Sequence, residues 1–475
     1  MVRPLESCLT DRSMPKLSRR RFLAASAASA AGCAAAPAWS APSGPDFDVV
    51  VIGAGAAGIA AARRVAGTKA RLAVLEASDR IGGRCFTDTA TFGMPYDRGA
   101  HWIHAPDLNP VTPLAMRSGL DIYPAPPGQK IRIGRRNARE SEMEDYLAAV
   151  VRSNRAIADA GRGKADVSCA AALPKDLADW QKTVEFVLGP FDCGKDLGEV
   201  SCADFAKSAE RNVDTFCRQG FGALIAALAQ GLPVQMSTPV RFIDWSARNG
   251  VEIKTARGTV TARTVIVTAS TGVLLDNRIK FDPELPRRYL DALERLTLGS
   301  YDHIALELPG NPLGLQRDEL VFEKSSSART AAVLANISGT TLCTVDVAGK
   351  FGRDLAAQGE GAMVAFALDW LTGLYGADIG KAVKRTHATR WSKEPWALGA
   401  FSAAAPGGQG ARAALVDPLR DRLWFAGEAV HETLWGTVGG AWASGDRAAQ
   451  QALRKIGAIP EPPPERPAPE ARRRR

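Results

Sequence analysis

The first apolar run that follows the amino-terminal 45 residues is Phe47–Ile52, which is short and rich in β-branched residues. Such a run predicts a strand buried on both faces of a parallel sheet. The stretch Ala56–Val65 predicts a helix, and Leu72–Leu75 predicts a second buried strand. The order strand, helix, strand indicates an α/β fold with a parallel sheet.

The turn between the first strand and the helix holds Gly53, Gly55 and Gly58 in G-x-G-x-x-G spacing. Gly53 permits the tight turn, Gly55 lets a pyrophosphate approach the backbone, and Gly58 lets the helix pack closely on the strand. The amino terminus of the helix offers free N–H groups to an anion. Glu76, which ends the second strand, can accept hydrogen bonds from ribose hydroxyls. Together these residues predict a dinucleotide site.

The next residues distinguish FAD from NAD. The segment Arg80–Arg84 reads R-I-G-G-R and resembles the second motif of the flavin amine oxidase superfamily, where the second arginine approaches the cofactor phosphates. Later segments extend the resemblance to flavin-dependent amine oxidases, and more specifically to their polyamine oxidase branch. These segments are Tyr96–Ala115, Gly220–Trp245, Val265–Leu274, Arg390–Gly407 and Leu423–Ala449.

The resemblance implies an α/β fold, in which a glutathione-reductase-type FAD-binding Rossmann domain is interleaved with an α+β substrate domain. The predicted FAD domain comprises residues 46–124, 217–299 and 390–456, and the predicted substrate domain comprises residues 125–216 and 300–389. Residues 457–475 are rich in proline and arginine, which predicts a disordered tail.

The resemblance also assigns the cofactor contacts. The implied FAD-binding residues are Gly53, Gly55, Ala57, Gly58, Glu76, Ala77, Gly83, Arg84, Ala100, His101, Trp102, Val240, Trp391, Gly427, Glu428, Thr437 and Val438. Some relatives attach the flavin covalently through a cysteine, and that position holds Ala400 here. The FAD is therefore expected to be non-covalent.

The implied reaction moves a hydride from the α-carbon of a neutral amine to flavin N5, and the imine is then hydrolysed to an aldehyde or ketone. O2 or another electron acceptor reoxidises the flavin. The cofactor supplies the difficult chemistry, while the protein orients the amine in a dry pocket. No catalytic triad is needed, and no zinc-type H-E-x-x-H motif is present.

Four residues are candidates for the reacting site. His303 aligns with a family lysine that holds a water at flavin N5, and as a histidine it is expected to be largely neutral near pH 7; the alternative is a histidine that only packs in its strand. Phe401 matches the first ring of an aromatic pair that flanks the substrate amine. Thr437 occupies the second position. Trp396 and Trp435 are alternative candidates for the second ring, and the alternative for each tryptophan is a place in the core.

His104 is expected either to bind a distal amine or hydroxyl of the substrate or to be a structural histidine. Together with His101 it also suggests a metal site, but positions i and i+3 of an extended segment face opposite sides, so no metal is expected. An L-amino-acid oxidase remains an alternative, although Arg98 does not align with the position that binds a substrate carboxylate. A flavin-bearing scaffold protein with weak catalysis is a second alternative.

The amino-terminal segment Ser18–Pro42 predicts the destination of the protein. Arg19 and Arg20 precede an alanine-rich stretch and an A-x-A site that ends at Ala38, as in a Tat-type export signal covering residues 1–38. The Tat machinery and a periplasmic location are therefore expected. Lipid anchoring through Cys33 is disfavoured, because the lipobox lacks its leucine.

The distribution of charge along the chain argues against nucleic acid as a partner. The formal net charge is +9, but the amino-terminal 40 residues and the carboxyl-terminal tail carry most of it. The rest of the chain has too little positive charge for nucleic-acid binding. The expected partners are a small amine and O2 or a periplasmic electron acceptor, and the expected state is a monomer or a homodimer.

Overall fold

A computed structural model describes residues 45–209, 213–248 and 250–461. The predicted export signal at 1–38 lies outside the described residues, as does the predicted tail beyond residue 461. Within the described part of the chain, no helix has both the length and the apolar character that a membrane span requires.

The larger sheet of the described chain has eight strands and carries the glycine-rich turn. Phe47–Ile52 lies in its middle, parallel to both neighbours, and its last four residues are buried. The prediction of a buried parallel strand at these residues is therefore confirmed. In spatial order the strands are Val234–Gln235, Leu72–Leu75, Phe47–Ile52, Gly258–Val267, Val251–Thr255, Val240–Asp244 and Lys280–Asp282, and Leu423–Phe425 pairs with the second half of Gly258–Val267.

The helix after the glycine-rich turn spans Ala56–Ala66, which confirms the prediction to within one residue. The helix Val438–Lys455 packs against it through small side chains. A Cβ atom added at Gly445 would lie only 2.0 Å from the carbonyl oxygen of Ala57, so the two helices touch backbone to backbone. This contact brings a distant part of the chain to the glycine-rich turn.

A second sheet of seven strands is mostly antiparallel. In spatial order its strands are Arg385–Ala388, Tyr301–Glu307, Leu342–Ala348, Ala332–Ala335, Glu319–Glu323, Lys130–Ile133 and Arg136–Asn137. Two small sheets complete the strands: Ile103–His104, Asp214–Cys217 and Ile122–Pro124 form one, and Thr87–Asp88 and Tyr96–Asp97 form the other.

The remaining α-helices pack around these sheets. They are Thr112–Arg117, Glu140–Gly161, Cys169–Ala172, Gln181–Phe186, Cys202–Phe205, Phe221–Leu228, Thr271–Leu275, Arg287–Arg295, Gly349–Gln358, Glu360–Tyr375, Ile379–Ala382 and Ala411–Ala414. A π-helical turn spans Val187–Phe191, and short 3₁₀ turns include Trp391–Lys393 and Glu428–Val430. The fold is thus α/β with a Rossmann-like unit at the glycine-rich turn.

Candidate functional site

A cavity of about 960 Å³ is lined by residues of both large sheets. It opens beyond the carboxyl ends of Phe47–Ile52 and Leu72–Leu75, where Ile52, Gly53 and Glu76 border it. Open α/β sheets bind their ligands at this edge. The volume lies at the upper end of the range for small-molecule sites, so the cavity can hold a large cofactor and a small substrate.

The glycine-rich turn fits a dinucleotide. Gly53 has a φ of +101°, which favours glycine, and a Cβ atom at Gly58 would lie 1.9 Å from the carbonyl oxygen of Gly53. In contrast, a Cβ atom at Gly55 would meet only the carbonyl oxygen of Gly82, at 3.8 Å, and Gly55 borders the cavity. The helix Ala56–Ala66 has no side-chain cap at its amino terminus, which leaves its first N–H groups for an anion.

Glu76 is buried beside this turn. Its Oε2 accepts a hydrogen bond from the backbone N–H of Ala54 at 2.6 Å, and its Oε1 accepts from the N–H and hydroxyl of Ser78 at 2.8 and 2.7 Å. The carboxylate therefore ties the second strand to the glycine-rich turn. Each oxygen can accept further hydrogen bonds, so Glu76 can also hold ribose hydroxyls at the cavity edge.

Glu428 joins the carboxyl-terminal segment to the cavity. It accepts hydrogen bonds from the guanidinium of Arg84 at 2.9 Å, from the backbone N–H and hydroxyl of Ser402, and from the N–H of Gly436. Arg84 also donates to the carbonyl oxygen of Ala400. Arg84 and Glu428, both predicted to contact the cofactor, therefore also brace one another, a contact that the sequence does not reveal.

The structure brings the predicted site residues to one cavity. The predicted residues that border the cavity are Gly53, Gly55, Ala57, Glu76, Ala77, Gly83, Arg84, Ala100, His101, Trp102, His104, Val240, His303, Trp391, Phe401, Gly427, Glu428, Thr437 and Val438. Gly58 lies behind them, where it contacts Gly53. Thr437 caps the helix Val438–Lys455, because its hydroxyl accepts from the N–H of Gly440.

A row of aromatic rings, the aromatic wall, forms another side of the cavity and consists of Phe401, Tyr301, Phe191 and Phe322. Successive ring centroids lie 6.0, 5.9 and 4.9 Å apart. The ring beside Phe401 is therefore that of Tyr301, which sequence analysis missed. The alternation of its strand offered a signal, since Tyr301 stands two residues before His303 and shares its face.

The two tryptophans proposed to complete the aromatic pair lie in different places. Trp435 is only 1% exposed in the core and does not border the cavity. Trp396 borders the cavity, but its ring lies under the guanidinium groups of Arg241 and Arg278. Trp396 therefore belongs to the side of the cavity formed by the larger sheet.

His303 is buried, and both of its ring nitrogens have partners. Nδ1 lies 2.7 Å from Oδ1 of Asp346, and Nε2 lies 2.9 Å from the carbonyl oxygen of Gly99. Burial alone would lower the pKa of His303, but the charge and hydrogen bond of Asp346 raise it to about 9. The expectation that His303 is largely neutral near pH 7 is therefore wrong, because the sequence does not show the carboxylate that faces it.

The two histidines that suggested a metal each face a different carboxylate. Nδ1 of His101 lies 2.7 Å from Asp97, and Nδ1 of His104 lies 2.8 Å from Asp214. The described residues contain no group of three or more His, Cys, Asp or Glu side chains that could hold a metal ion. Asp214 and Asp192 also border the cavity, so its lining includes carboxylates.

Three arginines add positive charge to the cavity lining. Arg80, Arg84 and Arg278 border it, and Arg80 and Arg84 belong to the R-I-G-G-R segment. Arg98 does not border the cavity and lies 3.9 Å from Asp88. Cys85 is the only cysteine on the cavity wall among the described residues, and burial raises the pKa of its thiol well above the usual value.

Known proteins resemble this chain in sequence and in fold. A family model described as flavin containing amine oxidoreductase matches residues 132–453, and a model of an NAD(P)-binding Rossmann-like domain matches residues 51–116. Polyamine oxidase 4 of Oryza sativa subsp. japonica is 27% identical over 445 residues, which cover 86% of this chain and 89% of that protein.

Lysine-specific histone demethylase 2 of Homo sapiens is 27% identical over 440 residues, or 85% of this chain, which spans about half (53%) of the length of that relative. Among solved structures, cyclohexylamine oxidase from Brevibacterium oxydans IH-35A superposes with a TM-score of 0.73 at 21% identity, covering 87% of this chain and all of that one. A putrescine oxidase with bound putrescine gives a TM-score of 0.72 at 21% identity, with 86% and 99% covered. These two structures share the fold.

Proposed function

Because this chain belongs to the flavin-containing amine oxidoreductase family, we propose that it is an FAD-dependent amine oxidase or dehydrogenase. The observation that carries the proposal is one cavity in which the glycine-rich turn and the aromatic wall meet. A cofactor held at the turn would face an apolar chamber suited to a small organic substrate. Polyamine and cyclohexylamine oxidases are among the similar proteins.

In the proposed reaction, a CH–NH bond is oxidised to an imine, which water hydrolyses to an aldehyde or ketone. The flavin, when bound, supplies the acceptor for the two electrons and the hydrogen. The protein contributes orientation and exclusion of water. Phe401 and Tyr301 would present a continuous aromatic surface to the amine, and His303 would border the reacting end of the cavity.

The charges around the cavity favour a cationic substrate over an amino acid. Asp214 lies on the cavity lining together with the aromatic wall, and aromatic faces attract ammonium groups. His104, which pairs with Asp214, would contact a distal amine or hydroxyl. A substrate carboxylate would instead need a cationic partner, and the cavity arginines Arg80 and Arg84 lie in the predicted cofactor cradle.

We propose that the FAD is bound without a covalent link. Ala400 has no thiol, and the protonated Cys85 is a poor nucleophile. Arg84 and Glu428 would hold the phosphate and ribityl portion, and Glu76 the adenosine ribose. Precipitation with acid should therefore release all of the flavin into the supernatant. Yellow colour that stays with the precipitate would contradict this part of the proposal.

The division into a discontinuous FAD domain and a substrate domain is part of the same proposal. It is supported by the strand order, since the eight-stranded sheet draws its strands from residues 47–75, 234–282 and 423–425, while the seven-stranded sheet uses residues 130–137 and 301–388. Export of the folded protein to the periplasm through the Tat machinery also remains a proposal, based on Arg19 and Arg20.

A panel of substrates tests the proposed function. The purified protein is mixed without oxygen with monoamines, diamines, polyamines and L-amino acids, and bleaching of the flavin absorbance near 450 nm is followed. We expect bleaching by amines that carry a second cationic group, with the aldehyde detected by mass spectrometry. Bleaching by L-amino acids alone would favour an amino-acid oxidase, and the absence of bleaching by every compound would favour a scaffold protein. Reoxidation by O2 and by an artificial acceptor separates an oxidase from a dehydrogenase.

A further inference from the structure

Asp346 lies behind the cavity wall and holds two residues of that wall. It stands on the strand Leu342–Ala348 directly opposite His303 of the neighbouring strand, and it is only 2% exposed. Its Oδ1 contacts Nδ1 of His303 at 2.7 Å, and its Oδ2 accepts a hydrogen bond from the hydroxyl of Tyr301 at 3.0 Å. Tyr301 and His303 border the cavity, whereas Asp346 does not.

The partners of His303 determine its protons. A backbone carbonyl oxygen only accepts hydrogen bonds, and so does an ionised carboxylate. Since Nε2 faces the carbonyl oxygen of Gly99 and Nδ1 faces Asp346, both ring nitrogens must carry a proton to satisfy both contacts. A neutral ring would place a nitrogen lone pair against one of these oxygens, unless Asp346 itself held the proton.

Other titratable groups also lie near His303. The charge of Asp302 adds to that of Asp346 in raising the pKa of His303, and Oδ2 of Asp302 has no hydrogen-bond partner among the described residues. Asp302, on the same strand, accepts from the backbone N–H of Trp391 and from the hydroxyl of Thr389. His387, on the adjacent strand Arg385–Ala388, lies 3.4 Å from the hydroxyl of Tyr96.

A void of about 20 Å³ separates His303 and Asp346 from the pair formed by Asp97 and His101, and Arg218 also borders it. Asp97 already accepts from two backbone N–H groups of the helix Phe221–Leu228. Asp346 is thus the carboxylate in direct contact with the ring of His303.

We propose that Asp346 is a positioning residue that maintains His303 as an imidazolium in the cavity wall and fixes the ring of Tyr301 beside Phe401. The cationic end of the pair borders the cavity, and the anionic end lies behind it. One carboxylate would thereby couple the charge of the site to the shape of its aromatic wall. The effect on the cofactor rests on the proposed function: a positive end that faces a dry site stabilises negative charge on a reduced flavin.

Nuclear magnetic resonance of the holoprotein tests the protonation directly. The chain has only five histidines, so a sample with ¹⁵N-labelled histidine gives few ring signals, and His303→Gln assigns the one of interest. We expect both ring nitrogens of His303 to report a protonated ring at pH 7, with a titration midpoint above pH 8. A neutral ring at pH 7 in the unsubstituted protein would overturn the inference, whatever the behaviour of any variant.

Two matched variants assign the effect to Asp346. In Asp346→Asn we expect the midpoint of His303 to fall below pH 7, and in Asp346→Glu we expect it to return above pH 7. Tyr301→Phe removes the hydroxyl that contacts Asp346 but keeps the carboxylate. In this variant the ring of His303 should therefore stay protonated at pH 7. An unchanged midpoint in Asp346→Asn would refute the role of Asp346. If Asp346→Asn does not fold, the titration midpoints of His303 in Asp346→Glu and in the unsubstituted protein still test the proposal. A midpoint below pH 7 in either protein would refute it.

The midpoint potential of the bound flavin is a second readout. We expect it to be lower in Asp346→Asn than in Tyr301→Phe, because only the first variant loses the cationic end. Equal potentials together with a neutral His303 in Asp346→Asn would refute the effect on the flavin and leave the protonation result standing. A protein that binds no flavin would contradict the proposed function, while the histidine signals would still test the pairing.

Discussion

The protonation of His303 also makes the stability of the protein depend on pH. The pKa of this residue is about 9 in the folded chain, above the ordinary value of 6.5. Its contribution to the free energy of unfolding is therefore fully present below pH 6.5 and is lost as the pH rises through 9. We expect the stability difference between the unsubstituted protein and His303→Gln to shrink by on the order of 3 kcal/mol over this range.

The matched control for this pH profile is His387→Gln. Burial lowers the pKa of His387, so that residue costs stability at low pH and its difference profile should rise with pH instead of falling. Unfolding curves of all three proteins at pH 6, 7.5 and 9, with FAD in equal excess, provide the measurement. Parallel profiles for the two variants would show that His303 is not held charged in the folded state.

Glu76 gives a prediction about cofactor affinity. Its two oxygens already accept three hydrogen bonds from the protein, and it lies at the edge of the cavity. Glu76→Ala should weaken FAD binding by about 1–3 kcal/mol, the usual cost of a lost buried hydrogen-bond partner. Glu76→Gln, which keeps one acceptor oxygen, should lose less. Titration of each apoprotein with FAD measures both affinities. If Glu76→Ala bound FAD as tightly as the unsubstituted protein, Glu76 would not hold the ribose.

At the scale of the strand, turn and helix, Gly55 and Gly58 form a natural pair of variants. A methyl group at Gly55 would meet only the carbonyl oxygen of Gly82, at 3.8 Å, whereas one at Gly58 would lie 1.9 Å from the carbonyl oxygen of Gly53. We expect Gly55→Ala to keep the melting temperature of the apoprotein and to lose FAD affinity by about tenfold or more, which is about 1.4 kcal/mol. Gly58→Ala should lower the melting temperature of the apoprotein as well.

The ratio of bound flavin to protein and the melting curve of the apoprotein distinguish the two effects. Full flavin content in Gly55→Ala would mean that the pyrophosphate does not pass over this residue. A normal melting curve for Gly58→Ala would mean that the strand and the helix can separate at no cost, which the 1.9 Å approach does not allow.

Individual elements at the same scale show what could be predicted from the sequence and what could not. Phe47–Ile52 and Leu72–Leu75 could be predicted with their bounds, because a buried parallel strand needs an unbroken apolar run between turn residues. The pairing of His303 with Asp346 could not, because strand register brings together residues 43 positions apart. The charge of His303 follows from that register, and the sequence therefore did not reveal it.

For the whole molecule, the proposed export route gives a prediction about Arg19 and Arg20. The proposed FAD site uses residues of three separated parts of the chain, so a folded route of export suits it. Replacing both arginines by lysine should trap the protein, yellow and active, in the cytoplasm. Cell fractionation measures the distribution, with Arg3→Lys as the matched control. A doubly substituted protein that still reaches the periplasm would contradict the Tat-type signal.

The strand Leu423–Phe425 completes the eight-stranded sheet, and the helix Val438–Lys455 covers the helix of the glycine-rich turn. A ribosome makes both after all other strands of that sheet. Until then, the nascent chain exposes an unpaired strand edge along Val265–Val267 and the small apolar side chains of Ala56–Ala66. The growing polypeptide thus presents unpaired backbone groups and apolar surface through most of its synthesis, and such surface is prone to aggregate until the last segment arrives.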